Sequence, residues 1–261
     1  MQDALQWARH HRLCGNATMV PSFNAKLAHS AVQRINRDLV AGDIVELGVW
    51  KGGMSCMMAM AQQLASGTHR RIWLFDTFEG MPEPTAQDDR RSRRIWKAVR
   101  NGTITQVAGT ARDRKWAYSP LSEVQSTMAR TGYPPEQLRF VKGKVEDTLR
   151  SATNVPQQIA LLRLDTDWFE STRAELDVLW PRLAPGGWLY IDDYSSFGGA
   201  HKAVDNWLRT EHNLRTRGCR KTRDRLGSLH LWKTRPYDPS RPFEVTNESV
   251  WCLQQARAAK G

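Results

Sequence analysis

The sequence predicts a doubly wound α/β domain, because short apolar runs alternate along the chain with segments of helical character. These runs lack the strict polar alternation of half-exposed strands and are typical of strands buried on both faces of a parallel sheet. The predicted strands cover 43–49, 71–77, 139–144, 159–166, 188–194 and 228–234. The predicted helices cover 54–64, 121–130, 171–180 and 200–208.

Local sequence indicates where several of these elements begin and end. The first strand follows the turn Ala41-Gly42, and the helix after it is rich in Met and Ala and contains no proline. The helix at 121–130 follows Ser119-Pro120, whereas the helix at 171–180 stops before Pro181. The fifth strand follows a Pro-Gly-Gly turn, and the third has the weakest β pattern.

The 261 residues suit one such domain with additions. We expect an N-terminal helical cap over 1–40, a core over 41–235 and a C-terminal tail over 236–261. The segment 82–118 is long, polar and highly charged, and it interrupts the alternation of strands and helices. Long insertions in compact domains often act as lids or binding loops, so a lid-like insertion is expected here.

The formal net charge is +11, and basic residues cluster at 90–94 and at 215–225. Such clusters are found on proteins that bind anionic substrates, nucleic acids or membrane surfaces, and also on ordinary solvated faces. The sequence has no zinc-finger spacing, and no aromatic motif of RNA-binding domains lies beside the clusters. A solvated face is therefore the favoured interpretation, and nucleic acid is not the favoured partner.

Two features favour a cytoplasmic protein without a membrane partner. The N-terminal segment lacks the apolar core of a signal peptide, and the longest apolar run, 54–61, is too short to span a bilayer. The four cysteines at 14, 56, 219 and 252 form no CxxC pair, so we expect ordinary reduced thiols rather than a zinc site or a disulfide scaffold.

A glycine-containing turn follows the first predicted strand, which ends in Glu46-Leu47-Gly48 and continues into 49–53 (VWKGG). Glycines at this point let the backbone approach a ligand, and a helix N-terminus presents free N–H groups. The second strand ends in Asp76, an acid placed to accept hydrogen bonds from ribose hydroxyls. Together these features predict a nucleoside-bearing cofactor. The spacing is not the GxGxxG of nicotinamide enzymes.

Acidic residues end two later strands. Asp165 follows the run 159–164, with Asp167 two residues on, and Asp192-Asp193 follow the run 188–191. If the two strands are neighbours, these carboxylates meet at the carboxyl edge of the sheet, where their repulsion favours a bound cation. Oxygen ligands suit Mg²⁺, Ca²⁺ or Mn²⁺. Helix capping is the alternative, especially for Asp167.

The chain resembles the macrocin O-methyltransferase family, which methylates sugar hydroxyls of natural products. Order and spacing agree from about Thr18 to Trp207. The matching stretches are 18–21 (TMVP), 45–53 (VELGVWKGG), 75–82 (FDTFEGMP), 142–143 (KG), 147–149 (DTL), 164–167 (LDTD), 170–172 (EST), 185–187 (PGG) and 192–194 (DDY). Lys51, Thr166 and Phe169 depart from residues common in the family, and the last two adjoin the predicted metal strand.

The resemblance implies a Rossmann-like class I S-adenosylmethionine methyltransferase fold, with a mostly parallel seven-stranded sheet and helices on both faces. It further implies S-adenosyl-L-methionine and Mg²⁺, or another hard divalent cation, as cofactors, and by analogy a homo-oligomer. The implied metal ligands are Asp165, Asp192 and Asp193, and the first candidate for the catalytic base is Asp165, which could take the proton directly or through water. The implied cofactor-binding residues are Thr18, Met19, Glu46, Gly48, Asp76, Gly143 and Val145.

The expected function is therefore metal-dependent O-methylation of a hydroxyl on a sugar or other small molecule, such as a glycoside or an anionic compound. Asp167 is a second candidate base. A nucleic-acid methyltransferase using the basic surface is the main alternative, although acidic residues at the site repel a phosphate backbone. A nicotinamide oxidoreductase and a non-catalytic binding protein are weaker alternatives.

Overall fold

A computed structural model of the chain describes residues 2–65, 69–104, 111–210, 219–224 and 227–233. The predicted C-terminal tail and residues 215–218 and 225 of the second basic cluster lie outside these residues. The helices are α1 Gln2–Cys14, α2 Ser22–Arg37, α3 Gly53–Gln62, α4 Arg90–Arg100, α5 Leu121–Ala129, α6 Val145–Thr148, α7 Phe169–Leu179 and α8 Gly198–Thr210. The strands are β1 Asp43–Leu47, β2 Ile72–Asp76, β3 Ala111–Arg112, β4 Lys115–Trp116, β5 Leu138–Lys142, β6 Ile159–Leu164, β7 Leu183–Ile191, β8 Cys219–Arg223 and β9 Leu229–Lys233.

Seven strands form one sheet in the order β5-β2-β1-β6-β7-β9-β8. The first five in this order are all parallel, whereas β9 runs antiparallel to both of its neighbours. The predicted mostly parallel seven-stranded sheet is thus confirmed. All six predicted strands are present, but β8 was missed, because its sequence CRKTR looks like part of a basic cluster rather than a strand.

Helices cover both faces of the sheet, as predicted. On one face α2, α3 and α5 pack on strand residues that include Ile44, Leu74, Leu161 and Trp188. On the other face α7 and α8 pack on the alternate residues, including Val45, Phe75, Leu162 and Leu189. This alternation follows from the two-residue period of a strand, and burial of both faces explains why the runs are almost wholly apolar.

The segment predicted as an insertion has its own structure. It contains α4 and the short antiparallel hairpin of β3 and β4. A small apolar cluster, built on Val99, Trp116 and Trp168, attaches it to the turn before α7. The indole nitrogens of Trp96 and Trp168 donate to the carbonyl oxygens of Met81 and Pro82, each at 3.0 Å. The insertion is therefore packed against the carboxyl edge of the sheet.

The cysteine prediction was wrong for one pair. Cys14 at the end of α1 and Cys56 in α3 are joined by a disulfide, and both residues are fully buried. The pair is separated by 42 residues, so spacing gave no signal. It forms because the two helices pack together. None of the helices in the described part of the chain combines the length and apolar composition that a bilayer crossing requires.

Candidate active site

A cavity of about 440 Å³ opens at the carboxyl edge of the parallel strands. This size falls within the range of small-molecule sites. Turns that follow β1, β2, β5, β6 and β7 form its floor, and the chain before α2 and the insertion form its walls. The lining segments are 19–21 with Asn24, Gly48 with Trp50, 76–77, 80–82, 116–117, 143–146, 165–167 with Ser171, 192–193, 196–197 and Ser228.

The turn after β1 depends on glycine. Gly48 has φ +82°, and a Cβ atom there would lie 1.9 Å from the carbonyl oxygen of Asp165. Gly53 begins α3, and its Cβ would lie 2.4 Å from the carbonyl group of Ala17. Only glycine allows this approach. The turn after β1 is therefore in close backbone contact with the chain before α2 on one side and with the turn after β6 on the other.

Asp76 holds this turn by accepting hydrogen bonds from its backbone. Its Oδ2 accepts from the N–H groups of Val49 and Trp50 at 2.8 and 3.0 Å, and its Oδ1 accepts from that of Phe78 at 2.8 Å. Burial raises the pKa of Asp76, although these donors act to lower it. The predicted ribose acceptor therefore lines the cavity and also organises its floor.

The other predicted cofactor residues divide into two groups. Met19, Gly143 and Val145 line the cavity with Gly48, and Met19 is 49% exposed. Thr18 lies beside the cavity, where its hydroxyl accepts from the N–H of Val20 at 3.1 Å. Glu46 is fully buried beneath the turn and is not among the described lining residues. The structure thus does not bring Glu46 to the cavity wall.

Three carboxylates come together at the ends of β6 and β7. Asp165, Asp167 and Asp193 each place an oxygen within 4.8 Å of the others. Burial raises the pKa of all three residues, and the charges of neighbouring carboxylates raise those of Asp165 and Asp193 further. The pKa of Asp167 is raised to about 7. The donor set fits a hard divalent cation, whose charge would offset this repulsion.

Asp192, the third predicted metal ligand, has other partners. Its Oδ2 accepts from Nη2 of Arg163 at 2.5 Å, and its Oδ1 accepts from the hydroxyls of Tyr190 at 2.5 Å and Ser228 at 3.2 Å. It still lines the cavity. The structure therefore groups Asp167 with two predicted ligands and places Asp192 next to them in a hydrogen-bonded network.

Arg163 is the cation beneath this acidic site. Its Nη1 lies 2.7 Å from Oε1 of Glu46 and 2.8 Å from Oδ2 of Asp165, and its side chain is 1% exposed. Burial acts to lower the pKa of Arg163, but Asp165, Asp192 and Glu46 outweigh it and hold the pKa above its usual value. The Ser55 hydroxyl donates to the other oxygen of Glu46. Arg163 thus joins β1, β6 and β7.

Sequence reasoning missed Arg163 and Tyr190, although both interrupt apolar runs. A buried arginine in the run IALLRL needs an acidic partner, and this requirement was the available signal. Asn24 was also missed, and its Nδ2 donates to the Tyr190 hydroxyl at 2.8 Å. Nothing local to α2 indicates this long-range contact.

The first basic cluster lies on α4, and none of its arginines lines the cavity. Arg90, Arg91 and Arg94 are exposed and Arg93 is half-buried. Among the described lining residues the one Lys or Arg is Lys144, whereas six are acidic: Asp76, Glu146, Asp165, Asp167, Asp192 and Asp193. The described cavity is therefore acidic despite the basic chain.

The profile of the family described as Macrocin-O-methyltransferase (TylF) matches residues 14–217, which include every described wall of the cavity except Ser228. The chain belongs to the macrocin O-methyltransferase family. Within this family, the sheet order and the glycine turn are those of the class I S-adenosylmethionine methyltransferase fold, as predicted.

Two curated relatives act on glycosylated compounds according to their names. The 8-demethyl-8-(2,3-dimethoxy-alpha-L-rhamnosyl)-tetracenomycin-C 4'-O-methyltransferase of Streptomyces olivaceus is 38% identical over 164 residues, 63% of this chain and 57% of the relative. The mycinamicin III 3''-O-methyltransferase of Micromonospora griseorubida is 31% identical over 178 residues, 68% of this chain and 65% of the relative. The matches thus span less than two thirds of both relatives.

A solved structure shows the same fold. The O-methyltransferase NovP superposes with a TM-score of 0.68 and 27% sequence identity, over 84% of this chain and 83% of NovP. The macrocin O-methyltransferase fold predicted for this chain is therefore supported by its sequence family and by its three-dimensional similarity.

Proposed function

We propose that this chain transfers a methyl group from S-adenosylmethionine to a sugar hydroxyl of a small-molecule natural product, with Mg²⁺ or a similar cation bound at Asp165, Asp167 and Asp193. One observation carries the proposal: a single cavity joins the glycine turn after β1 to the carboxylates after β6 and β7. Methyl transfer needs the donor and the acceptor oxygen side by side and in line, and this arrangement provides adjacent places for both.

The cofactor, when bound, supplies a sulfonium methyl group. Gly48 and Gly143 present no side chain to the cavity, and Met19 lines it with 49% of its surface exposed. Asp76 fixes the turn through Oδ2, and its Oδ1 is proposed to accept from a ribose hydroxyl in place of the Thr77 hydroxyl, which lies 3.4 Å from Oδ1 and donates at 2.7 Å to the carbonyl oxygen of Gly80. Val145, which is buried, is proposed to contact the adenine. Thr18 is proposed to support the cofactor site by accepting a hydrogen bond from the backbone N–H of Val20. Glu46 is proposed to support it by pairing with Arg163.

The cation, when bound, lowers the pKa of an acceptor hydroxyl as a Lewis acid. Asp165 is proposed to accept the hydroxyl proton, directly or through water, with Asp167 as the alternative base. Oδ2 of Asp165 lies 2.8 Å from Nη1 of Arg163, and the Asp165 carboxyl also interacts with the side chain of Asp193. For this reason Asp167 is kept as the second candidate. Asp192 is proposed to orient the site through Arg163 and Tyr190, or to join the ligands if its side chain turns.

The acceptor side of the cavity favours a neutral glycoside with an apolar aglycone. Met81, Pro82, Trp116 and Phe197 form this wall, and aromatic and apolar surfaces bind both sugar faces and aglycones. The two named curated relatives are O-methyltransferases of a rhamnosyl-tetracenomycin and of mycinamicin III. An anionic acceptor is the weaker candidate, because acidic groups outnumber basic ones along the described lining.

The function is tested by incubating the purified chain with S-adenosylmethionine, Mg²⁺ and a panel of acceptors, followed by mass spectrometry. The panel contains neutral glycosides, nucleotide sugars and RNA oligonucleotides. We expect a mass increase of one methylene on a neutral glycoside and none on RNA. Methylation of RNA alone, or no binding of S-adenosylmethionine by calorimetry, would overturn the proposal. The expected homo-oligomer, cytoplasmic location and division into cap, core and tail remain predictions.

A further inference from the structure

Two adjacent acids in the insertion, Asp88 and Asp89, reach helix starts elsewhere in the fold. We call them the capping pair. Asp88 is 3% exposed, and its Oδ1 accepts from the backbone N–H of Phe169, the first residue of α7, at 2.8 Å. Its Oδ2 accepts from the N–H of Thr85 at 2.7 Å. Trp168, at the N-cap position of α7, makes no side-chain capping bond, so Asp88 caps this helix from outside.

Asp89 connects two further helices. Its Oδ1 accepts from the N–H of Ser92 at 2.9 Å, which caps its own helix α4. Its Oδ2 accepts from the N–H of Gly198, the first residue of α8, at 3.2 Å. The capping pair therefore joins the insertion to the starts of α7 and α8.

The glycines at the start of α8 fit closely against the capping pair. A Cβ atom on Gly199 would lie 1.9 Å from Oδ1 of Asp88, and one on Gly198 would lie 2.9 Å from Cβ of Asp89. Contacts this short cannot be accommodated without movement. Glycine is unfavourable inside a helix, so Gly198 and Gly199 are explained by these contacts, to which the start of α7 adds one: a Cβ on Gly199 would also lie 2.9 Å from the backbone nitrogen of Phe169.

These helix starts carry the carboxylates of the proposed metal site. Asp165 and Asp167 directly precede α7, and Asp193 lies shortly before α8. The two segments also touch, since the N–H of Ala200 donates to the carbonyl oxygen of Asp167 at 3.3 Å. Asp167 has φ +68°, a conformation that a non-glycine residue keeps only when its surroundings impose it.

We propose that Asp88 and Asp89 are positioning residues for the cation site, fixing the turn after β6 relative to the turn after β7. The inference rests on the proposed function and extends it: the insertion is a structural part of the site and not only a cover. Substitution of a residue that orients a metal ligand typically lowers metal affinity by about 10- to 100-fold.

The test compares Mn²⁺ binding, followed by the electron paramagnetic resonance signal of the free ion, in the wild type and in Asp88→Ala and Gly199→Ala, because alanine removes the oxygen that accepts from Phe169. We expect the Kd for Mn²⁺ to rise about tenfold in both variants. The Kd for S-adenosylhomocysteine, measured by calorimetry without metal, should change less than about twofold. Gly198→Ala is a milder variant with a smaller expected rise, and Glu83→Gln, exposed in the same segment, is the control.

A double-substitution cycle separates the contact from a general loss of stability. In the Asp88→Ala background the carboxylate that meets a Cβ at position 199 is gone, so Gly199→Ala should weaken Mn²⁺ binding less than it does in the wild type. Helix propensity alone predicts a favourable effect of Gly199→Ala in both backgrounds. Additive effects would contradict direct coupling between the two residues.

The outcomes distinguish this inference from the function on which it rests. Wild-type Mn²⁺ affinity in Asp88→Ala and Gly199→Ala, even with a lowered melting temperature, overturns the positioning role and leaves the proposed function intact. A wild type that binds no Mn²⁺ overturns the proposed cation site and the positioning role with it.

Discussion

A Cβ atom on Gly48 would lie 1.9 Å from the backbone carbonyl oxygen of Asp165. The two residues end neighbouring parallel strands, and the N–H of Asp165 donates to the carbonyl oxygen of Leu47 at 2.8 Å. The turn proposed to hold the cofactor is therefore in backbone contact with the turn proposed to hold the cation. This contact explains how one cavity can serve donor and acceptor together.

Replacing Gly48 with alanine should disrupt both turns. The substitution forces a clash with backbone atoms, which cannot move as a flexible side chain does, and it strains a positive φ of +82°. We expect the loss of S-adenosylhomocysteine binding by calorimetry, or a chain that no longer folds. Gly132→Ala is the matched control, because Gly132 has φ +69° and its nearest neighbour would lie 3.9 Å away. Equal effects of the two changes would show that the contact with Asp165 is unimportant.

Replacing Arg163 with methionine should strongly destabilise the fold. The change leaves Glu46 buried without its cation, and breaking a buried ion pair costs about 3–5 kcal/mol. The melting temperature should fall by roughly 6–20 °C for a chain of this size.

A second change, Glu46→Gln, should recover part of that loss, because it removes the uncompensated charge. The control is Arg173→Met, which breaks a partly exposed pair with Asp177 on α7 and should cost less than about 1 kcal/mol. Similar losses in Arg163→Met and Arg173→Met would contradict the role given to Arg163.

Glu175 should make the protein less stable as pH rises. The residue is fully buried in α7, its Oε1 accepts from the Thr166 hydroxyl at 2.8 Å, and Glu146 and Asp165 are its nearby acids. Burial raises the pKa of Glu175 from 4.5 to about 8. Between these values the native state binds more protons than the unfolded chain, so this residue lowers stability with increasing pH.

The Glu175→Gln variant should lose this dependence. Its melting temperature should exceed that of the wild type by a margin that grows from pH 5 to pH 8 and reaches roughly 10 °C. Glu170→Gln, at an exposed position of the same helix, serves as the control. A margin that stays constant from pH 5 to pH 8 would show that Glu175 is already charged in the folded protein over this range.

The arginines of α4 test the charge of the acceptor. Because Arg90, Arg91, Arg93 and Arg94 lie outside the described cavity lining, their combined change to glutamine should leave the KM for a neutral glycoside within about twofold. A large rise in KM confined to acidic acceptors would instead support the anionic substrate that the basic composition first suggested.

Much of the fold could be predicted because its strands are buried on both faces, which leaves a continuous apolar pattern in the sequence. Strand β8 could not be predicted, since an edge strand with the sequence CRKTR has no such pattern. The disulfide between Cys14 and Cys56 depends on how α1 packs on α3, which spacing does not report.

In the candidate site, too, some residues could be predicted from the sequence and others depend on tertiary packing. Asp76, Asp165 and Asp193 follow strands, so their meeting at one edge follows from parallel topology. Side-chain direction decides which acids join the carboxylate cluster, and the sequence does not report it. Asp167 points into the cluster, whereas Asp192 accepts a hydrogen bond from Arg163. Asp88 reaches α7 from 81 residues away in sequence, and no local pattern encodes that contact.

The most direct test of the account is the rate of transfer of a labelled methyl group to a neutral glycoside, measured before and after removal of metal by a chelator. We predict that the rate falls at least a hundredfold and returns when Mg²⁺ is added. The Asp193→Asn variant should bind S-adenosylhomocysteine with wild-type affinity, but its rate of methyl transfer should rise little when Mg²⁺ is added. A rate that is unchanged by the chelator, in a wild type that methylates the glycoside, would contradict a cation at the carboxylate cluster.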